Sequence, residues 1–103
     1  MGKFQDLKVW ERAKNLAIFI YSQTKQGAFS IASNIAEGDE LDTDKQAVRF
    51  FYIAKGSSAE VLTQAIIALE IGYWDKDIFA YVEKECKGVS GMLTRLIQTR
   101  SVF

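Results

Sequence analysis

Apolar side chains recur at three- and four-residue steps along nearly the whole chain, which is the pattern of amphipathic helices. A first helix is predicted from residue 7 to about residue 24, a second from about 28 to 37 and a third from about 44 to 71. A fourth begins after residue 75 or 77 and carries apolar positions as far as Ile97. No segment has the alternation of a strand, so the pattern predicts an all-α fold.

The predicted helices are separated by short segments with recognisable end signals. Gly27, Gly38 and Gly72 each follow a helical run and are typical of helix ends. Thr43 and Gln46 have the spacing of a capping box, and Asp75 or Asp77 would cap the last helix. Because short connections join antiparallel neighbours, the sequence predicts an antiparallel up-down four-helix bundle.

Composition limits the architecture further. The 103 residues are too few for two cores, so residues 1–103 are expected to form a single domain. Proline is absent, which permits long helices. Cys86 is the only cysteine, no apolar run reaches bilayer length, and the opening residues lack the apolar stretch of a secretory signal. A cytoplasmic protein without membrane contact is expected.

Small residues interrupt two of the helices. Gly56 is followed by Ser57 and Ser58 in the middle of the third helix, and Gly88 and Gly91 lie within the fourth. A glycine inside a helix costs about 1 kcal/mol relative to alanine, so a structural reason is expected. We predict close approach of a neighbouring helix or subunit at Gly56, and either a bend or another close crossing at Gly88 and Gly91.

Polar residues also occur within the apolar frame of helices two and three. Buried polar groups need hydrogen-bond partners, so these residues are expected to form a structural network between the two helices rather than a ligand site. The set comprises Ser30, Ser33, Asn34, Glu37, Gly38, Arg49, Gly56, Ser57 and Glu60.

Charge is unevenly distributed although the net charge is zero. Residues 1–25 hold five basic and two acidic side chains, a net charge of +3, whereas residues 26–44 hold five acidic and no basic side chains. A basic stripe is what phosphate contact requires. The candidate nucleic-acid contacts are Lys3, Lys8, Arg12 and Lys14.

The sequence gives little support to an enzyme. Histidine, the commonest general base and metal ligand, is absent, and neither a Walker A nor a dinucleotide-binding motif occurs. Cys86 has no activating histidine and is expected to be a small core residue. We therefore predict no catalytic residue, cofactor, metal site or small-molecule substrate.

Three ordered blocks carry a resemblance to a known family. They are Phe4-Gln5-Asp6-Leu7-Lys8-Val9-Trp10-Glu11-Arg12-Ala13, then Ser30-Ile31-Ala32-Ser33-Asn34-Ile35-Ala36-Glu37-Gly38, then Arg49-Phe50-Phe51-Tyr52-Ile53-Ala54-Lys55-Gly56-Ser57-Ser58-Ala59-Glu60. The chain resembles the four-helix-bundle proteins of intervening sequences in 23S rRNA genes, also called S23 ribosomal proteins. It departs from them in the short segment at residues 24–29, where the family has a longer, arginine-containing stretch.

The resemblance implies a non-enzymatic four-helix bundle that assembles into a homo-oligomeric ring, commonly a pentamer. A related branch, the accessory proteins of diversity-generating retroelements, binds nucleic acid. Two hypotheses follow: an oligomer that binds RNA or DNA, and a protein-interaction scaffold without nucleic-acid binding. The second is suggested by aromatic residues that we expect to be exposed, namely Phe4, Trp10, Tyr73, Trp74 and Phe103.

Overall fold

The computed structural model describes residues 4–24 and 28–101. A short 3-10 turn, Phe4–Asp6, precedes α1 (Lys8–Thr24), α2 (Phe29–Asp39), α3 (Asp44–Glu70) and α4 (Lys76–Arg100). Within these two ranges there is no strand. The all-α prediction is therefore confirmed, with the helices in the predicted order. The predictions for Lys3, Gly27 and Phe103 lie outside the described residues.

Side-chain caps fix two helix starts where the sequence placed them. The Thr43 hydroxyl accepts a hydrogen bond from the backbone amide of Gln46 (3.2 Å), as expected for the first half of a capping box. At α4 the cap is Asp75, whose carboxylate accepts from the amide of Ile78 (2.9 Å). Gly72 has a φ of +78°, so the left-handed backbone of the α3–α4 turn requires glycine there.

The four helices form an antiparallel up-down bundle. α3 packs against α2 and α4, and α1 packs against the same two helices, so each helix touches its neighbours in sequence order. Direction follows from the contacts between α1 and α4: Arg12 meets Glu85 and Phe19 meets Tyr81, so numbering rises along one helix as it falls along the other. None of the helices in the described ranges is long and apolar enough to cross a membrane.

The core follows the predicted apolar faces. On α3 the buried positions other than Val48 advance in alternating steps of four and three residues, which keeps them on one side of the helix. They are Ala47, Phe51, Ala54, Ser58, Val61 and Ala65. Opposite them lie fully buried side chains from the other helices, among them Leu16, Ile31, Ile35, Val82, Val89 and Leu93. Each large apolar side chain buried in this way contributes about 1.5–3 kcal/mol.

Gly38 lies inside α2 and not after it, because the helix continues to Asp39. A methyl group at Gly38 would come within 3.0 Å of Phe50 and Phe51 on α3 and within 3.1 Å of the Ala47 carbonyl. The absence of a side chain thus lets α2 approach α3 closely. Within the described residues of one chain, the close helix approach predicted for Gly56 occurs at Gly38 instead.

The helices differ greatly in length. α3 and α4 have 27 and 25 residues, about 40 Å each, whereas α2 has 11 residues and is roughly 16 Å long. The α3–α4 hairpin therefore extends past α2 at the Gly72 turn. Trp74 is only 7% exposed at this end. The expectation that Trp74 would be exposed is wrong, whereas Tyr73 is 62% exposed as predicted.

Candidate nucleic-acid surface and polar motif residues

The predicted basic residues of α1 have different environments. Lys8 is exposed, and Lys14 is half-buried with its ammonium 5.5 Å from the centre of the Trp10 ring. Trp10 is itself half-buried and makes an edge-to-face contact with Phe4 at 5.3 Å. Lys8 and Lys14 thus remain candidates for phosphate contact. The rings of Phe4 and Trp10 contact each other.

Arg12 is engaged within the chain. Its guanidinium makes a two-point ion pair with Glu85 of α4, with Nε–Oε1 at 2.7 Å and Nη2–Oε2 at 3.2 Å. The hydrogen bond to Glu85 raises the pKa of Arg12, and the same bond lowers the pKa of Glu85. Two guanidinium nitrogens of Arg12 and its positive charge are therefore already paired with Glu85. We correct the expectation for Arg12: it joins α1 to α4, and it is not a free phosphate ligand.

Gly88 explains how this ion pair fits between the helices. A methyl group at Gly88 would overlap the Arg12 guanidinium, so the missing side chain makes room for it. Of the two alternatives left open for this glycine, the structure supports a close crossing, made by a side chain from α1. At Gly91 the nearest such contact is Arg95 at 4.0 Å, so Gly91 has no comparable role.

Arg95 is a basic residue that sequence reasoning missed. Arg95 and Lys8 line one groove between α1 and α4, whose apolar residues are Leu7, Val9, Met92 and Leu96. The two cations are far apart in sequence and meet because α1 and α4 are antiparallel. We call Lys8, Lys14 and Arg95 the basic surface; Lys8 and Arg95 share this groove, whereas Lys14 lies on the other side of α1, in the groove between α1 and α2. Antiparallel pairing of the first and last helices was the one signal that could have found Arg95.

The polar motif residues of α2 mostly face outward. Ser30, Ser33 and Glu37 are exposed, and Asn34 is half-buried. Asn34 donates a hydrogen bond to the Ser30 carbonyl one turn earlier (2.7 Å), which is a bond within its own helix. None of these side chains is hydrogen-bonded to α3 within the two described ranges.

The corresponding residues of α3 also lie away from α2. Arg49, Gly56 and Glu60 are exposed, and nothing lies within 4 Å of a methyl group placed on Gly56. Among residues 4–24 and 28–101, the predicted network between helices two and three is therefore not seen within one chain. The physical reason is register: these positions lie on the side of α3 opposite its core residues.

Ser58 is the polar residue that does connect two helices. It is 2% exposed, and its hydroxyl donates to the backbone carbonyl of Cys86 on α4 (3.0 Å). Cys86 is buried as predicted, and this burial raises the pKa of its thiol to about 11. A buried thiol that stays protonated is a poor nucleophile. In the described part of the chain no group of acidic or cysteine side chains could hold a metal ion.

A second ion pair lies at the end of the bundle away from the Gly72 turn. Asp39, the last residue of α2, accepts a hydrogen bond at Oδ1 from Nη2 of Arg100 on α4 (2.7 Å). The Arg100 guanidinium also lies 5.4 Å from the centre of the Phe51 ring on α3. Three helices are thus tied together by one arginine. Asp39, one of the acidic residues in segment 26–44, thus has a structural role that the sequence pattern did not reveal.

Comparison with protein families is decisive for identity. The family described as 23S rRNA-intervening sequence protein matches residues 5–95, and this range includes the three sequence blocks except Phe4 and nearly all of the four helices. The chain belongs to this family. No curated protein matches the chain. The 23S rRNA-intervening sequence proteins are small helical proteins and not a known enzyme family.

Proposed function

We propose that this protein is a non-catalytic homo-oligomer, of the pentameric ring type that its family resemblance implies, and that it binds structured RNA in the cytoplasm through the basic surface. The observation that carries the proposal is the meeting of Lys8 and Arg95 at one groove, with Lys14 on the same helix as Lys8. None of the three forms an ion pair within the described ranges, whereas the neighbouring Arg12 does. Their charges are therefore available to phosphates.

Assembly would explain the outward-facing residues of α3. Tyr52, Ile53 and Ile67 are exposed on this side of the helix, and Gly56 leaves a flat position among them. Arg49 and Glu60 lie on the same side and could pair across a subunit boundary. We call these six residues the α3 outer face. A second copy packed there would bury its apolar side chains and give the motif residues the partners that they lack within one chain.

A ring would also reconcile a neutral chain with RNA binding. Each subunit has zero net charge, but symmetry would bring several copies of the basic surface to one assembly. Phosphate contacts release counterions, so the logarithm of the binding constant should fall with the logarithm of salt concentration, by about 0.7–0.9 per phosphate contacted. Steep salt dependence is thus the signature of this mechanism.

The first experiment compares two double variants with the same change in charge. Lys8→Glu/Arg95→Glu alters the basic surface, and Lys45→Glu/Lys76→Glu alters exposed lysines at the starts of α3 and α4. Binding to a fluorescently labelled, structured RNA is followed by anisotropy at low and moderate salt. The first pair should lose at least about tenfold in affinity and flatten the salt response, and the second should lose far less. Equal losses, or wild-type binding with a flat salt response, would refute the assignment.

The second experiment tests assembly. Light scattering on the purified chain should give a mass several times the 11.6 kDa of one subunit. Gly56→Leu should weaken the assembly, because it adds a side chain at the flat position of the α3 outer face. Ala80→Leu adds the same side chain at an exposed position of α4 and serves as the control. A monomeric wild-type protein would eliminate the ring.

The alternative is a protein-interaction scaffold. A groove between α1 and α2 favours it: Trp10, Ala32 and Ala36 line this groove, and Ile18 and Phe29 beside them are more than half exposed. Ile18→Lys should impair a protein partner and leave RNA affinity unchanged. Loss of RNA binding in Lys8→Glu/Arg95→Glu together with full RNA binding in Ile18→Lys supports the RNA hypothesis. A wild-type protein that binds no RNA, and a protein partner that is lost in Ile18→Lys but kept in Lys8→Glu/Arg95→Glu, support the scaffold.

A further inference from the structure

Four residues of the α3 outer face lie on a single line along the helix. Arg49, Ile53, Gly56 and Glu60 follow one another in steps of four, three and four residues, which keeps them on one stripe. We call these four residues the α3 seam. All four are exposed, and they lie on the side of α3 opposite its core residues. Within the described ranges, the other helices of the chain therefore leave the α3 seam uncovered.

The α3 seam is complementary to itself when its direction is reversed. Its spacing is the same when counted from either end, so a second, antiparallel copy places its Glu60 opposite Arg49 and its Gly56 opposite Ile53. Two parallel copies in register would instead set each charge against its own like charge, which is unfavourable. The order of the residues along the stripe therefore favours an antiparallel contact between two copies of this chain.

The shape and charge of the α3 seam suit such a contact. Ile53 is 43% exposed, and nothing lies within 4 Å of a methyl group placed on Gly56, so the seam has one apolar projection and one empty position. A side chain that packs into an empty position of the facing helix is the knobs-into-holes contact of paired helices. Arg49 and Glu60 form no ion pair within the described ranges, so both charges are available to a second copy.

We propose that the α3 seam binds the seam of a second copy in antiparallel orientation, with two Arg49–Glu60 ion pairs flanking two Ile53–Gly56 contacts. This inference rests on the assembly proposed above, in which a second copy covers the α3 outer face. The contact has a two-fold axis that crosses α3 midway along the seam. A pentameric ring has no two-fold axis that relates its own subunits, so the seam joins subunits of two different rings. Among the described residues α1 does not pack against α3, so the basic surface of α1 stays available to RNA.

Charge reversal tests the pairing, with association followed by sedimentation velocity over a series of protein concentrations. Arg49→Glu and Glu60→Arg each set like charges opposite one another twice in the contact, so each should weaken association roughly tenfold. The double variant Arg49→Glu/Glu60→Arg exchanges the two charges within one chain and should restore the association of wild type. Lys76→Glu makes the same change of charge as Arg49→Glu at an exposed position away from the seam, and should have no effect.

Crosslinking tests the two-fold symmetry of the contact. A short bismaleimide should link two copies of Tyr52→Cys, because position 52 lies about 8 Å along the helix from its own copy. It should not link two copies of Thr63→Cys, because position 63 lies roughly 25 Å from its own copy. Wild type is the blank, since its Cys86 is buried.

The outcomes separate the pairing from the ring. Rings of the same mass in wild type and every charge variant, a double variant as weak as the single ones, or no preference of the crosslinker for Tyr52→Cys would overturn the antiparallel pairing and leave the ring intact. A wild-type protein that stops at two chains, and dissociates in each single variant, supports the pairing and eliminates the ring. A monomeric wild-type protein overturns both.

Discussion

Replacing Arg100 by methionine should be among the most destabilising single changes on the surface of this protein. The Asp39 side chain is 4% exposed, and its Oδ1 accepts from Arg100 at 2.7 Å, while its buried Oδ2 has no hydrogen-bond partner in the part of the chain that the structure describes. Asp39 also stands at the C-terminal end of α2, where the helix dipole disfavours an anion. Methionine keeps most of the apolar stem but leaves the carboxylate buried and uncompensated.

The magnitude follows from these environments. Removing one partner of a buried ion pair costs about 3–5 kcal/mol. The Arg100 side chain is 26% exposed, so water partly shields the pair and we expect the lower end, about 3 kcal/mol. Asp39→Asn should cost less, about 1 kcal/mol, because Arg100 can turn to water and asparagine carries no charge. The double variant should be more stable than the sum of the two losses implies, since it buries no lone charge.

Urea unfolding followed by far-ultraviolet circular dichroism measures these differences, at two protein concentrations so that any contribution of assembly is separated. Arg95→Met is the matched control, an exposed arginine of the same helix without an ion pair, and should change stability by less than about 0.5 kcal/mol. A loss below about 1 kcal/mol for Arg100→Met, or strictly additive losses in the double variant, would refute the reasoning.

Three further predictions concern the other described contacts. Arg12→Met should cost on the order of 1–2 kcal/mol near neutral pH. Arg12 holds the folded-state pKa of Glu85 below its ordinary 4.5, so the difference in unfolding free energy between the wild type and Arg12→Met should vanish as the pH falls through that lower pKa. A difference that persists in strong acid would contradict this prediction. Gly88→Ala should lower the free energy of unfolding, because the added methyl group displaces Arg12. Gly56→Ala should raise the free energy of unfolding of an unassembled chain by up to about 1 kcal/mol. Equal urea midpoints for these two variants would contradict both predictions. Cys86 should react with a thiol reagent at about pH 8 slowly when folded and rapidly in denaturant; fast native labelling would exclude its burial.

Much of the fold could be predicted because its signals are local. The three- and four-residue spacing on α3, the Thr43 cap and the glycine at position 72 each act within a few residues of themselves. Cys86 was correctly expected in the core, since it lies on an apolar helix face. Predictions were less successful where a residue's surroundings come from another helix: no helix of the same chain approaches Gly56 within the described residues, whereas Gly38 makes such an approach.

The sequence by itself determined the four helices and their antiparallel order, because periodicity, caps and short connections are all properties of neighbouring residues. It also carried the family, through the three motif blocks and the family match over residues 5–95. Tertiary structure alone decided which charges are paired. Arg12 meets Glu85, Arg100 meets Asp39, and Arg95 joins Lys8, because the register between helices brings together residues that are distant in the chain. That register depends on how whole apolar faces pack, and no local pattern specifies it.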